Sequence, residues 1–152
     1  MNKYKEAMKL MDKRFGQNVV ISLATMERNP TTNVYRPCVR NVYSYYEDCT
    51  FYAVTYGKSR KMQQIAAEPE VALDVCYGWF SANGIGENLG WVRDKKNTEI
   101  MSKLRAVFAE WYGNGIVNED DQNTCLLRIN LTSGILFDQG KKYEIDFANE
   151  TA

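Results

Sequence analysis

The sequence contains no histidine among its 152 residues. Histidine is the commonest general base and the commonest metal ligand in proteins. Its absence excludes a Ser–His or Cys–His nucleophile within one chain, and it also excludes a haem held by a proximal histidine. Any chemistry at this chain therefore proceeds without an imidazole.

Paired cysteine motifs and an excess of one charge are missing as well. The four cysteines, Cys38, Cys49, Cys76 and Cys125, form no C-x-x-C pair, so the sequence carries no zinc or dithiol motif. We expect four reduced, mostly buried thiols. Nineteen basic residues balance nineteen acidic ones, and proteins that bind nucleic acid usually carry a basic excess. We therefore expect no nucleic-acid partner.

Long apolar segments are also absent. No run approaches the roughly 18 apolar residues of a membrane-spanning helix, and the N-terminal stretch lacks the apolar segment of a secretory signal. These absences predict a cytoplasmic protein with no membrane partner. Because 45% of the residues are hydrophobic and 25% are charged, the chain is an ordinary globular one. Its length predicts a single domain over residues 1–152.

Three segments show apolar residues at helical spacing, and we predict helices at residues 3–15, 59–68 and 97–112. Ser59 is a favourable N-cap for the second helix, and Pro69 ends it. The third helix has the clearest apolar stripe, which we interpret as core packing. That stripe consists of Ile100, Leu104, Val107, Phe108 and Trp111. The acidic residues 117–123 predict a solvated loop.

Runs rich in β-branched and aromatic residues predict six or seven strands. The runs are residues 19–26, 34–46, 51–56, 71–77, 79–94, 124–131 and 135–138, and the alternating residues 143–147 would add an edge strand beyond that count. We interpret residues 34–56 as one long hairpin and residues 132–134 as a turn. Since short turns join most strands in order, the sheet is mainly antiparallel. The pattern predicts a mainly β (α+β) fold, a small barrel with peripheral helices.

The most informative segment follows the strand at residues 51–56. A turn at Gly57 leads into the helix that opens at Ser59, and K-S-R-K (58–61) crowds three cations around its first turn. Free backbone N–H groups and the positive end of the helix dipole suit an anion there, such as a phosphate group. The hydroxyls of Thr55 and Ser59 add donors. The alternative is that Ser59 only caps the helix and the cations are solvated, and local chemistry leaves both open.

The ordered set T-x-x-x-S-R-K (55–61) after a strand resembles the pyridoxamine 5′-phosphate oxidase-like superfamily of FMN-binding split barrels. The surrounding order is also similar, with E-P-E-V-A-L (68–73), G-W-V-R-D (90–94), a helix, and L-L-R-I-N-L-T-S-G-I-L-F-D (126–138). The resemblance extends over about residues 3–140 and is strongest to the general-stress and nitroimidazole-resistance branches. It implies a six- to seven-stranded antiparallel split β-barrel with peripheral helices.

The resemblance also implies a set of flavin contacts. The family's phosphate contacts fall on Thr55, Ser59, Arg60 and Lys61. A further arginine is expected from the preceding strand, and Arg36 in R-P-C-V and Arg40 in R-N-V-Y are both candidates. Because the two share one face of a regular strand, one would meet the phosphate and the other the ring edge or solvent. Backbone near Val42 would lie along the flavin, and Val54 would contact its ring.

In this family two chains associate with the flavin at their interface, so the resemblance implies a homodimer. The aromatic residues available to cover the ring or form the interface are Tyr43, Tyr45, Tyr46, Trp79 and Trp91. Packing in the barrel core is the alternative for each of them. We place substrate specificity in residues 79–91 and 113–123. The glycine-rich G-I-G-E-N-L-G (84–90) lacks the spacing of a dinucleotide loop, and we interpret it as a turn or bulge.

The function that the resemblance implies is an FMN-dependent oxidoreductase. It would take electrons from NADH or NADPH and pass them to a small acceptor, so both partners are small molecules. The residues that hold pyridoxal phosphate in the true oxidases have no match in this chain, and we do not expect that activity. The alternatives are a non-catalytic binder or sensor of a flavin or another phosphorylated cofactor, and a dimeric interaction module without a flavin.

Overall fold

The structure, a computed structural model, describes residues 2–152 as seven strands and four α-helices. The strands are β1 (Val19–Arg28), β2 (Tyr35–Glu47), β3 (Thr50–Tyr56), β4 (Glu70–Val75), β5 (Phe80–Trp91), β6 (Thr124–Asp138) and β7 (Lys141–Asp146). The helices are α1 (Lys3–Phe15), α2 (Arg60–Ala67), α3 (Thr98–Val107) and α4 (Ala109–Tyr112). The predicted mainly β class is confirmed.

Six of the strands close into an antiparallel barrel. They are hydrogen-bonded in the order β3-β2-β1-β4-β5-β6, and β6 pairs in turn with β3. Strand β7 pairs with β6 outside this ring. Closure pairs β3 with β6, the two strands that would otherwise form the edges of this six-stranded sheet. The predicted split barrel of six to seven strands is therefore confirmed.

The predicted turn at residues 132–134 is wrong, because β6 continues through it to Asp138. Thr132 has no partner in β5 and forms a bulge, so the Thr-Ser-Gly sequence bends the strand instead of reversing it. Gly134 allows the close approach, since a Cβ there would lie 2.9 Å from the ring of Phe80. The chain reverses at Gln139 and Gly140, whose φ angles are 47° and 81°.

The predicted helix at residues 97–112 is interrupted at Phe108, where φ is −95° and ψ is 13°. Upstream of the break, Met101 and Leu104 are fully buried, and so is Phe108 itself. They form a small core between α3 and the barrel. Downstream, Trp111 on α4 is only partly buried. The predicted apolar stripe therefore packs on the core on both sides of the break, with Trp111 at its partly exposed edge.

The main core fills the barrel and is covered at one end by α1. Phe15 at the end of α1 packs its ring 5.5 Å from that of Phe80 and 6.1 Å from that of Phe51. Inward residues of the barrel strands, such as Leu23 and Leu127, are fully buried. This burial supplies the main favourable term for folding. Among residues 2–152, no helix combines the length and apolar character that a membrane span requires.

Strands β2 and β3 form the predicted hairpin, but they separate soon after the turn. The reversal uses Asp48 and Cys49, whose φ angles are 49° and 59°. Only three residue pairs join the two strands, from Tyr45 to Glu47 on β2. The earlier part of β2 pairs with β1 alone. A gap therefore opens between β2 and β3 in an otherwise closed barrel.

Candidate functional site

A cleft of about 480 Å³ occupies the gap between β2 and β3. This volume lies within the range of small-molecule sites. Its walls are formed by both diverging strands, the first turn of α2, the end of α4 and the loop before β6. The lining residues are Asn41, Val42, Tyr43, Val54, Thr55, Tyr56, Lys61, Trp111, Ile116, Val117, Asn118, Asp121 and Thr124.

Half of the predicted site residues line this cleft. The four are Val42, Val54, Thr55 and Lys61. Thr55 is buried near the end of β3, where it pairs with Cys125 of β6, so barrel closure fixes its position. The remaining four predicted residues are Arg36, Arg40, Ser59 and Arg60. They surround the start of α2, and each has a different environment.

Lys61 is the cation on the cleft wall. Its side chain is partly buried, and no carboxylate among residues 2–152 forms an ion pair with it. Burial, together with the nearby guanidinium of Arg40, holds the pKa of Lys61 below its ordinary value. An ammonium in this environment gains more from a bound anion than a solvated lysine does.

Ser59 stands at the N-cap position of α2, but its hydroxyl does not cap the helix. The Oγ atom is buried and has no hydrogen-bond partner within residues 2–152. A buried hydroxyl without a partner is costly, so such a group indicates a missing ligand or water. The predicted alternative, in which Ser59 serves only as a cap, therefore lacks the hydrogen bond it requires.

Arg40 lies beneath α2 and ties this helix to β1. Its Nη1 donates to the Thr25 hydroxyl at 2.6 Å and to the Leu23 carbonyl at 3.2 Å, and its Nη2 donates to Gln64 Oε1 at 3.0 Å. These acceptors are neutral, and no carboxylate of the described chain pairs with Arg40. Together with Lys61, this arginine makes the base of α2 electropositive.

Arg36 and Arg60 converge instead on Glu27, a residue that sequence reasoning missed. Nε and Nη2 of Arg36 donate to Glu27 Oε1 at 3.1 and 2.6 Å. Nε and Nη2 of Arg60 donate to Oε2 at 3.1 and 2.5 Å, and Gln64 Nε2 adds a bond of 2.9 Å. Hydrogen bonds from Arg60 and Arg36 lower the pKa of Glu27 to about 2.

An aromatic pair forms the opposite side of the cleft. Tyr43 from β2 stacks on Trp111 from α4, and Trp111 Nε1 is buried without a partner in the described residues. Among the other predicted aromatic residues, Tyr46 is core and Trp79 is exposed and does not line the cleft. Trp91 donates to the carbonyl of Glu119 at 2.8 Å. Of the predicted set, only Tyr43 reaches the cleft, and Trp111 was missed.

The loop at residues 113–123, which contains the predicted loop at residues 117–123, is attached to the protein through Glu119. Arg105 donates to both Glu119 oxygens at 3.0 Å, and the Tyr112 hydroxyl donates at 2.5 Å. The Glu119 side chain is only 14% exposed. Burial alone would raise the pKa of Glu119, but the hydrogen bonds from Arg105 and Tyr112 outweigh burial and lower it.

This attachment makes the loop a wall of the cleft, as the prediction of a specificity role for residues 113–123 requires. Ile116, Val117, Asn118 and Asp121 all line the cleft. Residues 79–91, the other segment predicted to set specificity, do not line it. Within residues 2–152, no group of three or more cysteine, aspartate and glutamate side chains forms a candidate metal site, and all four cysteines are free.

No protein-family model matches the sequence, and no curated protein matches it. Solved structures do match. A protein related to general stress protein 26, of the pyridoxinephosphate oxidase family from Clostridium acetobutylicum, aligns with a TM-score of 0.58 and 15% identity, over 97% of this chain and 96% of its own. A NimC/NimA family protein from the same organism aligns with a TM-score of 0.62 and 16% identity, over 93% and 90%.

A third match is an FAD-binding protein from Mesorhizobium loti, with a TM-score of 0.59 and 20% identity, over 86% of this chain and 90% of that one. At sequence identities of 20% or below, these matches establish a shared fold and nothing beyond it. The alignments extend over most of this chain and of each neighbour. The chain therefore has the split-barrel fold of the pyridoxamine 5′-phosphate oxidase-like proteins, and the predicted resemblance is confirmed for the fold.

Proposed function

We propose that this chain is an FMN-dependent oxidoreductase, which passes electrons from a nicotinamide cofactor to a small acceptor. The proposal rests on the environment of Lys61. Its ammonium group is partly buried, unpaired within residues 2–152, and exposed to a cleft whose far side is aromatic. An anion at one end and a planar apolar group at the other match this arrangement. The flavin bound by the Mesorhizobium loti protein of the same fold supports the choice.

The residues of the cleft fit the two ends of FMN. Lys61 and the orphan hydroxyl of Ser59 would hold the phosphate, with Thr55 as a further donor and Arg40 adding positive charge from below. The free backbone N–H groups in the first turn of the eight-residue α2, together with the positive end of its dipole, would also favour a phosphate at this helix N-terminus. These groups would bind the cofactor and set its position.

The ring end would be enclosed by apolar and aromatic side chains. Val42 and Val54 line the cleft between the strands, and Tyr43 and Trp111 close it. Such walls exclude water from a bound ring. When bound, the flavin supplies the redox chemistry, namely hydride acceptance from a nicotinamide and electron transfer to an acceptor. The protein then needs no side-chain base, which is compatible with a chain that contains no histidine.

We further propose a homodimer with the cleft at its interface. The outward face of β2 presents Tyr35, Val39 and Tyr43 with exposed fractions of 44%, 69% and 49%. Val20 on β1, directly opposite Tyr43, is 42% exposed. A contiguous apolar face of this kind is typical of a protein–protein interface. Because Tyr43 belongs both to this face and to the cleft, a second copy seated here would border the cofactor.

The test is a visible spectrum of the purified protein after addition of FMN and desalting. Retained flavin bands that NADH or NADPH bleaches without oxygen would support the oxidoreductase. Tightly bound flavin that neither nicotinamide reduces would support the non-catalytic binder or sensor instead. A colourless protein whose melting temperature ignores added FMN would contradict both, because a ligand that binds the native state raises stability by mass action.

A further inference from the structure

The carboxylate of Glu27 occupies the donors of Arg60, which the resemblance assigns to the phosphate, and of Arg36, one of the two candidates for a further phosphate contact. Both oxygens are saturated, since Arg36 and Arg60 supply two N–H groups each and Gln64 supplies a fifth. Glu27 and Arg36 are directly opposite on the paired strands β1 and β2, so the register of the barrel brings them together. The two arginines therefore already hold an oxyanion, and it belongs to the chain itself.

Carboxylates and phosphates compete for the same arginine groups, because both present oxygens that accept the fork of N–H donors. We propose that Glu27 is an internal competitor of the FMN phosphate, which keeps Arg36 and Arg60 from binding it. This inference rests on the proposed function and adds a residue that sets its ligand preference. Glu27 would lower the selectivity of the cleft for FMN over riboflavin, which lacks the phosphate.

Exposure indicates which partners can move. The side chains of Arg36 and Arg60 are 67% and 66% exposed, whereas that of Glu27 is 27% exposed and fixed on β1. The arginines can therefore turn away from Glu27 when another anion is available. Lys61 and Arg40, which have no carboxylate partner in the described chain, form the resident cationic site. The arginine pair is a second set of donors that Glu27 withholds.

Protonation of Glu27 does not end this competition at physiological pH. The hydrogen bonds from Arg60 and Arg36 hold the pKa of Glu27 at about 2. Gln64 and the neighbouring Arg40 also face this region from α2 and β2, and Glu68 lies at the end of α2. Glu27 therefore stays ionised throughout the neutral range, and only a competing anion or a substitution can free the arginines.

The experiment compares FMN and riboflavin affinities of the full chain carrying Glu27→Gln with those of the wild type, using flavin fluorescence. We expect the dissociation constant for FMN to fall about tenfold, because the substitution removes one charged group that competes with the phosphate for hydrogen bonds. The dissociation constant for riboflavin should stay unchanged. Glu68→Gln is the matched control, because Glu68 lies with Glu27 and Arg60 in a surface groove along α2, accepts a hydrogen bond from Tyr35 and forms no ion pair with an arginine of the described chain. This control is expected to leave both constants unchanged.

Weaker FMN binding by Glu27→Gln would overturn the inference, since Glu27 would then position the arginines for the phosphate. Equal changes for FMN and riboflavin, or equal effects of the two substitutions, would also overturn it. Should Glu27→Gln fail to fold, Glu27→Asp replaces it, because a side chain one methylene shorter moves the carboxylate away from the two arginines. Should the wild type bind no FMN, the proposed function fails. The inference is then decided with inorganic phosphate, which must shift the arginine Nε–H NMR signals at lower concentration in Glu27→Gln.

Discussion

The indole ring of Trp111 stacks on the phenol ring of Tyr43, with centroids 4.7 Å apart and planes 22° from parallel. The contact joins α4 to β2, two elements that the sequence separates by more than sixty residues. Both rings also line the cleft between β2 and β3. The pair thus provides a preformed planar apolar surface, to which a conjugated ring system can bind without prior rearrangement.

Replacement of Trp111 by alanine is expected to weaken FMN and riboflavin binding equally, by about tenfold, because the contact concerns the ring and not the phosphate. Trp111→Phe is the control that keeps an aromatic face and should retain most of the affinity. Flavin fluorescence titration measures both. Unchanged affinity in Trp111→Ala would place the flavin ring elsewhere.

Replacement of Lys61 by methionine is expected to weaken FMN binding by at least about tenfold and to leave riboflavin binding unchanged. Methionine preserves the length and apolar stem of the side chain but removes the charge that would face the phosphate. Lys61→Arg is the charge-preserving control. If Lys61→Met binds FMN as well as the wild type does, Lys61 does not hold the phosphate, and the proposed function loses its main support.

The affinity for FMN should also fall at alkaline pH. Only the protonated form of Lys61 attracts a phosphate, and burial and Arg40 hold its pKa below the ordinary lysine value. The loss of affinity on raising the pH should therefore begin below the range in which a solvated lysine titrates. In Lys61→Arg the guanidinium stays charged, so the alkaline loss should disappear. Dissociation constants between pH 7 and 10 provide the test.

Replacement of Glu119 by glutamine is expected to lower the free energy of unfolding by about 1–3 kcal/mol and to speed amide exchange in residues 113–123, because the loop loses its charged attachment. The pKa of Glu119 is lowered in the folded protein, so its contribution is complete above the unfolded value and is lost as the pH falls. The variant should accordingly be less sensitive to acid. Glu110→Gln, on exposed α4 surface, is the control.

Replacement of Val39 by aspartate is expected to convert the proposed dimer into a monomer, since it places a charge in the middle of the apolar face of β2. Val39 is 69% exposed, so the substitution costs the isolated chain little. Tyr77→Asp is the control, because Tyr77 is 93% exposed on the β4–β5 turn and outside this face. Sedimentation of the three proteins distinguishes the outcomes, and a dimer that survives Val39→Asp would place the interface elsewhere.

The sequence predicted the barrel and the region of the cleft because both depend on local patterns. Alternating apolar runs mark the strands, and the cations around the first turn of α2 predict an anion site directly after β3. Local chemistry singled out Thr55 and Lys61, and the family resemblance added Val42 and Val54; the four lie together in the structure. Their proximity follows from the β2–β3 hairpin, which is a short-range feature of the chain.

The missed features depend on relations that local patterns do not contain. Glu27 meets Arg36 only through the register of β1 against β2, and Arg60 reaches the same carboxylate from another element. Trp111 continues an apolar helical stripe in the sequence, and after the break at Phe108 its ring packs on the edge of the small core and also lines the cleft. The bulge at Thr132 has the residue composition of a turn, although neighbouring strands on both sides keep β6 extended.

The closure of the barrel by β3 and β6 bears on how the protein folds. It pairs Thr55 with Cys125, which are 70 positions apart, whereas β1, β2 and β3 follow one another directly. Long-range pairing incurs the larger loop-closure entropy and is a slow event. The cleft acquires its walls from both sides of this pairing, so we expect it to be complete only near the end of folding. A cofactor bound there would slow unfolding of the finished barrel and would not accelerate its formation.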